Sequence, residues 1–436
     1  VTHPDSAHVA VIGGGICGLA AAHRLVRRGT RVTLLESSDQ LGGLGTFFAH
    51  GDQWIERFYH CIMPSDASLL ALLGELGLRD AVRWRETTMG MVVEGRRHPF
   101  NSPLDLLRFS PLRLPDRVRF GVVSLLLRRL GRGRDLDALR TEDWLRGLYG
   151  DVVWERLFAP MFGSKFGPSF GDVPALYLWQ RLGRERNVAT RGYPDGGYKT
   201  IIDGLRASIE QAGGVVRTAT PVRRLHSTGG RSVLTLTGGE VLDADHVIST
   251  VPLPLLRRIA DDALAARLPA TDLPYQGVVT GVFFLRQPVT EHYWTPVLHS
   301  GTEFDGVVAM SALAGPRDGR HLVYVMHYTD RDSQLYLDDD TAIAARWSAQ
   351  LRGLYPELGA DGIEEVRVFK APFVEPVYPL GYLAARPPVT VDGTGLLLAT
   401  TAHVYPDVTS WNSSVALAND VVALVADQPA VTEPAR

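Results

Sequence analysis

The stretch His8-Val9-Ala10-Val11-Ile12-Gly13-Gly14-Gly15-Ile16-Cys17-Gly18 decides the fold. A continuous apolar run of β type stops at three glycines, and residues 16–28 follow with helical character. The segment therefore reads as strand, tight turn and helix. Gly29 closes the helix, and Arg31-Val32-Thr33-Leu34-Leu35-Glu36 supplies a second buried strand, which completes a βαβ unit and predicts a parallel sheet. Gly13, Gly15 and Gly18 have the spacing G-x-G-x-x-G at the point where strand gives way to helix. Glycines there permit a tight turn, close approach of a pyrophosphate to the helix N-terminus and close packing of helix on strand. Glu36, at the end of the second strand, is placed to accept from a ribose hydroxyl. Dinucleotide binding by these four residues is the first expectation.

Outward from this unit the chain changes character. Between about 99 and 184 it is rich in Leu, Arg, Trp and Phe at helical spacing, as in Leu114, Val118, Val122, Leu125 and Leu126, which predicts a helical insertion. Gly196-Gly197-Tyr198-Lys199 leads a further helix. Strands are predicted near 215–217, 222–225 and 245–250, with a hairpin of 233–236 and 241–242 around Gly238-Gly239. Residues 277–285 and 321–328 alternate as strands, 338–355 repeat as an amphipathic helix, and a strand at 395–399 precedes a helix at 413–425.

Composition excludes several classes. With 45 basic and 48 acidic residues in 436, the chain lacks the basic stripe of a nucleic-acid binder. Cys17 and Cys61 are the only cysteines, too few for a disulfide framework or a thiolate metal site, and they suit a reducing compartment, the cytoplasm. The N-terminal residues lack the features of a secretory signal. The longest apolar run, 9–22, contains four glycines and falls short of the roughly 20 residues that span a bilayer. The histidines show no H-E-x-x-H and no G-x-S-x-G occurs, so no metal site and no serine-hydrolase site is expected. Lysine occurs only at 165, 199 and 370, and a compact ammonium with a tunable pKa is a functional candidate where Arg otherwise dominates.

After Glu36 the sequence runs Ser37-Ser38-Asp39-Gln40-Leu41-Gly42-Gly43-Leu44-Gly45-Thr46. This second glycine pair resembles the FAD-binding segment of the amine oxidase, protoporphyrinogen oxidase and phytoene desaturase superfamily. The likeness continues through Pro194-Asp195-Gly196-Gly197-Tyr198, Thr220-Pro221-Val222-Arg223-Arg224-Leu225, Ser249-Thr250-Val251-Pro252 and the C-terminal strand and helix. The resemblance implies an α/β fold with a Rossmann-like FAD-binding domain of discontinuous segments (1–95, 190–270 and 376–436). A second, helix-plus-sheet substrate domain (96–189 and 271–375) would cover the flavin ring. It implies FAD held non-covalently, with Gly42, Gly43, Thr46, Val222 and Asp407 as further contacts. The family's cysteine attachment lies near the C-terminus, where this chain has none. Three positions depart from the family: Leu44 replaces an Arg, no lysine occurs in 277–283, and Thr400-Thr401-Ala402 replaces the usual Gly-Asp. These departures count against simple amine oxidation. No second G-x-G-x-x-G follows a later strand, so electrons are expected from the organic substrate and not from a nicotinamide domain.

The run Trp54-Ile55-Glu56-Arg57-Phe58-Tyr59-His60-Cys61 lies beside the flavin in the family, which makes Glu56 and His60 candidate bases. The structural alternative pairs Glu56 with an arginine and has His60 cap the next helix. Tyr378, Tyr382, Tyr405 and Asp407 are candidate walls of the site, next to a C-terminal helix whose positive end would stabilise reduced flavin. Lys165, between Gly163 and Gly167, is a candidate for binding an anionic substrate group. From 96 to 134 there are ten arginines against Asp105 and Asp116. This stretch reads as a solvated helical face over a buried stripe, with contact to an anionic membrane as the alternative. The reaction expected is removal of a hydride from a C–H bond of a small or medium organic substrate, the flavin being reoxidised by oxygen or another acceptor. The alternatives are a redox-neutral isomerase resembling UDP-galactopyranose mutase, a carotenoid or terpenoid dehydrogenase at a membrane, and an FAD-binding scaffold or redox sensor.

Overall fold

The computed structural model describes residues 7–167, 170–184, 189–271 and 273–427. Strand β1 (His8–Ile12) is buried throughout and pairs in parallel with β2 (Arg31–Leu35) on one side and with His246–Ser249 on the other. Burial on both faces is why these segments are continuous apolar runs and not alternating ones. The full sheet has six strands in the order Thr390–Val391, Leu396–Leu398, His246–Ser249, β1, β2, Val215–Arg217. Only its edge pair, Thr390–Val391 with Leu396–Leu398, is antiparallel. Helix α1 (Ile16–Arg27) ends where Gly29 takes φ +83° and donates to Val26 O at 3.0 Å. Its face of Leu19, Ala20, Ala21, Ala22 and Leu25 packs in one core with the helices Tyr198–Gln211 and Trp411–Asp427. Small residues allow the three helices to approach closely.

The hairpin expected around Gly238-Gly239 is present as Arg231–Leu236 and Val241–Ala244, joined by Val222–Thr228 into a three-stranded antiparallel sheet. A separate seven-stranded sheet runs Ile363–Pro376, Tyr275–Leu285, His321–Thr329, Gly306–Ala309, His292–Leu298, Thr88–Val93, Arg96–Pro99. Along Tyr275–Leu285, Val279 and Phe283 pack on Trp347 of the helix Asp340–Leu354, whereas Val278 and Val282 join the other core. This is the two-residue alternation of a strand covered on both faces. Thr88–Val93 pairs in parallel with His292–Leu298. The domain boundary expected after residue 95 therefore moves to the N-terminal side of Thr88, and we propose it there.

Residues 103–167 and 170–184 form the expected helical insertion, around a core that includes Phe109, Trp144, Tyr149, Trp154, Phe158, Phe162 and Tyr177. One expectation is corrected. In the helix Leu114–Leu130 the stripe of Leu114, Val118, Val122 and Leu125 is exposed, not buried, with Leu125 at 76 %. The helix packs through its other side, by Phe120, Val123 and Leu127.

Candidate active site

A cavity of about 660 Å³ starts at Gly15, Ile16 and Cys17, at the N-terminus of α1, and runs without a break into the helical insertion. The three motif glycines serve different ends. A Cβ on Gly13, which has φ +107°, would lie 2.3 Å from Thr250 Oγ1, and one on Gly18 would lie 2.0 Å from Gly13 O. Those two are required by the protein's own packing. A Cβ on Gly15 would meet nothing nearer than Gly43 Cα at 4.0 Å, so the space beside it belongs to whatever occupies the cavity. No side chain caps α1, which leaves its first N–H groups for an anion. Gly42, at φ +119°, donates to Gly14 O at 2.8 Å and so holds the second glycine pair against the first. Gly43 faces Gly15 directly, and a Cβ on it would lie 3.3 Å from Gly15 Cα. Glu36 Oε2 accepts from Gly14 N–H at 2.7 Å and Oε1 from Ser38 N–H at 2.8 Å, which fixes the carboxylate at the end of β2. An uncapped helix end, an open glycine cradle and an oriented acid fit the pyrophosphate and ribose of a dinucleotide.

The other expected cofactor contacts lie around this end of the fold without lining the cavity. Thr46 donates to Gly43 O at 3.2 Å and accepts from Arg57 N–H at 2.9 Å. Val222 is buried in one cluster with Ile12 and Leu35, the last residues of β1 and β2. Asp407 is exposed, between the lining residues Val404 and Val408. Farther along, the start of the helix Trp411–Asp427 reaches the cavity with Thr409, Ser410, Trp411 and Ser414. A Cβ on Gly45 would strike the Trp411 indole at 2.4 Å, so the glycine segment and this helix are fitted to one another.

Of the four candidate catalytic residues, His60 and Lys165 line the cavity, whereas Glu56 and Tyr405 stand behind its wall. His60 Nδ1 is 2.8 Å from Phe58 O, so Nδ1 carries the ring proton, and the ring is flanked by Tyr198 and Trp411. Burial pushes its pKa down to about 4, which keeps the imidazole neutral. It does not cap a helix; Asp66 occupies the N-cap of the helix Ala67–Glu75. Glu56 is 3 % exposed. It accepts from the Tyr193 hydroxyl at 2.7 and 2.8 Å and from Tyr198 N–H at 2.7 Å, at the start of the helix Tyr198–Gln211. Burial raises its pKa, opposed by the Tyr198 N–H and the Tyr193 hydroxyl. Its hydrogen-bond partners are thus a tyrosine hydroxyl and a helix end, with the charge of Arg317 also acting to lower its pKa.

Tyr405 is fully buried and donates to Asp137, and its ring packs against Tyr378 at 4.8 Å and Tyr382 at 5.3 Å. Tyr378 and Tyr382 donate to Thr401 O and Ala402 O, each at 3.0 Å. The tyrosine cluster therefore holds from behind the turn that places Thr400 and Thr401 on the cavity.

Lys165 brings partners that sequence reasoning did not single out. Its Nζ lies 3.1 Å from Glu375 Oε2, and Tyr177 donates to Glu375 Oε1. Glu375 sits near the end of the edge strand Ile363–Pro376, a segment whose mixed polarity gave no strand signal. The lining also contains the apolar side chains Met89, Phe100, Phe120, Phe158, Met161, Phe162 and Tyr328, together with the polar Ser164, Arg181, Arg191 and Asp305. Val278 and Thr280 are the cavity-facing residues of Tyr275–Leu285, so no lysine faces the cavity from that strand. Lys199 pairs with Asp203 on the helix surface. Cys17 and Cys61 both line the cavity, Cys17 buried beside Ala399 O with its thiol pushed up to about 12. No group of His, Cys, Asp or Glu suited to a metal occurs among the described residues.

A dinucleotide cradle opening into an aromatic-lined chamber defines a Rossmann-type flavoprotein enzyme. The chain belongs to the family described as flavin containing amine oxidoreductase, whose model matches residues 16–405, and FAD is its cofactor. It is 31 % identical to coproporphyrinogen III oxidase of Propionibacterium freudenreichii over 189 residues, 39 % of this chain and 34 % of that one. It is 30 % identical to putrescine oxidase of Kocuria rosea over 295 residues, 60 % of each chain. The chain thus spans between about a third and three fifths of the length of the curated relatives it matches. Among solved structures it resembles one titled putative protoporphyrinogen oxidase from Exiguobacterium sp. 255-15 (TM-score 0.78, 20 % identity, 97 % and 99 % of the two chains covered). It also resembles a reduced UDP-galactopyranose mutase (TM-score 0.72, 16 % identity, 96 % of each). At these identities the likeness to solved structures is one of fold.

Proposed function

We propose that this protein oxidises a C–H bond of a small or medium, largely apolar organic molecule that carries one polar group, with FAD accepting the electrons and oxygen or another acceptor taking them on. The observation that carries this reading is the unbroken cavity from Gly15 to the aromatic chamber, whose lining includes the buried ion pair of Lys165 with Glu375. Bound FAD supplies a two-electron acceptor at its isoalloxazine ring. The protein does the rest. Phe120, Phe158, Phe162 and Met161 exclude water and hold the apolar body of the substrate. Lys165, kept in place by Glu375 and Tyr177, orients the polar group. The start of the helix Trp411–Asp427, which lines the cavity through Ser410, Trp411 and Ser414, would help hold FAD, its positive end favouring negative charge there. His60, neutral and with Nδ1 committed to Phe58 O, offers Nε2 as an acceptor for a substrate proton. Glu56 and Tyr405 are positioning residues in this account, one for a helix and one for a turn. FAD is held non-covalently, through Gly15, Gly42, Gly43 and Glu36, with Thr46, Val222 and Asp407 contributing from outside the cavity.

The many aromatic and aliphatic side chains of the lining favour a terpenoid-like or aromatic substrate over a sugar nucleotide. The lack of a cavity-facing lysine on Tyr275–Leu285 weighs against simple amine oxidation. No helix among the described residues is long and apolar enough to cross a membrane. Two free thiols support a cytoplasmic setting. Anaerobic addition of candidate compounds to the FAD-loaded protein tests the reading. Bleaching by an apolar compound with an oxidisable C–H bond is expected, and bleaching restricted to hydrophilic amines would overturn it.

A further inference from the structure

We propose that the helices Pro103–Arg108 and Leu114–Leu130 form a docking surface for a bilayer containing anionic phospholipid. The inference goes beyond the reaction and does not depend on it. Leu104, Leu107, Leu114, Val118, Val122 and Leu125 are between 49 and 76 % exposed. Single exposed leucines need no explanation, but a contiguous set does. At 3.6 residues per turn, positions 114, 118, 122 and 125 share one face, and the opposite face is the one that packs inward through Phe120, Val123 and Leu127. Such a helix pays for its exposed stripe unless something apolar covers it.

Charge decides what that cover is. Residues 96–134 hold ten arginines against two aspartates, in a chain whose formal net charge is −3. Arg117 and Arg119 are bonded to backbone carbonyls and Arg128 lies over the Trp179 ring at 4.4 Å. Arg113, Arg129, Arg132 and Arg134 are exposed and have no carboxylate partner among the described residues. Asp105 is turned back to cap its own helix through the Ser102 N–H. An apolar stripe edged by unpaired arginines is complementary to acyl chains below anionic headgroups, where guanidinium groups reach phosphate while leucines enter the acyl boundary. Phe120, on the inner face of the same helix, lines the cavity with Phe100. One helix thickness, about 10 Å, thus separates the proposed lipid contact from the chamber.

The test is cosedimentation of the FAD-loaded full chain with phosphatidylcholine vesicles, with and without phosphatidylglycerol. Binding is expected only with phosphatidylglycerol, and it should weaken as salt is raised. The double variant Val118→Asp/Leu125→Asp should lose binding at least tenfold while keeping its flavin spectrum. Arg129→Gln and Arg132→Gln should each weaken it about fivefold. Absence of wild-type binding, or binding that the aspartates leave unchanged, would overturn the proposal. So would a wild-type dimer that the double aspartate variant converts to monomer, because the face would then be covered by a second copy of the chain.

Discussion

Gly15 and Gly18 carry the same motif and answer to different constraints. Alanine at 18 places its Cβ 2.0 Å from the Gly13 carbonyl, and no rotamer relieves a clash with backbone. Alanine at 15 enters open space that the cofactor needs. Gly15→Ala should therefore fold with an unchanged thermal midpoint as apoprotein and bind FAD at least tenfold more weakly, whereas Gly18→Ala should lower the midpoint itself. Fluorescence titration with FAD and a melting curve separate the two. This residue-level logic was legible in the sequence, because the motif is local and Glu36 follows at a fixed distance. The catalytic candidates were less legible. Glu56 and His60 are four residues apart, yet one points behind the wall and the other onto the cavity, and only the packing of Tyr193 and Tyr198 decides which. Glu375 was invisible for a related reason: its partner Lys165 lies 210 residues away.

The best example at the scale of elements is the helix Tyr198–Gln211, which begins on a buried carboxylate contributed by Glu56 from a different strand. Glu56→Gln keeps an oxygen for the Tyr198 N–H and removes a buried charge, so it should retain FAD and stay within about 1 kcal/mol of the wild type. Glu56→Ala leaves the Tyr198 N–H and the Tyr193 hydroxyl without their acceptor and should cost about 2 to 4 kcal/mol. Denaturant unfolding of both variants tests this. If Glu56→Gln instead holds FAD but no longer transfers electrons from substrate, Glu56 is the base and not a positioning residue. Buried strands and helices with sharp caps were readable from periodicity. The strand Ile363–Pro376 was not, because it is an edge strand: its half-exposed residues and its two prolines, Pro372 and Pro376, are what an edge tolerates and a central strand does not. Periodicity also identified the stripe of Leu114–Leu130 without telling which way it faces, since an outward apolar face and an inward one have the same spacing.

For the whole molecule, acid is the natural probe. Burial lowers the pKa of His8, His23, His60, His246 and His403, the third and fifth to about 4. In the unfolded chain these imidazoles take up protons near pH 6.5. The folded chain binds fewer protons below pH 6.5, so the stability they contribute is complete above pH 6.5 and is lost as pH falls, for His60 and His403 down to about 4. For His403, held between Thr400 and Pro388, the loss is on the order of 3 kcal/mol. The thermal midpoint should drop steeply over that window, and His403→Gln should make the drop shallower. The discontinuous assembly of the fold was legible because the strands near 8, 31, 246 and 396 are short, mostly apolar runs that a shared sheet buries, with the short strand near 215 added at its edge.

An FAD enzyme that takes its electrons from an organic substrate in the chamber does not need a nicotinamide to reduce it. The most direct test is the anaerobic visible spectrum of the purified, FAD-loaded protein before and after NADPH. The expected result is a flavin band that NADPH leaves unbleached and that an apolar organic compound bleaches. Rapid bleaching by NADPH, or no flavin band after FAD is added, would contradict it.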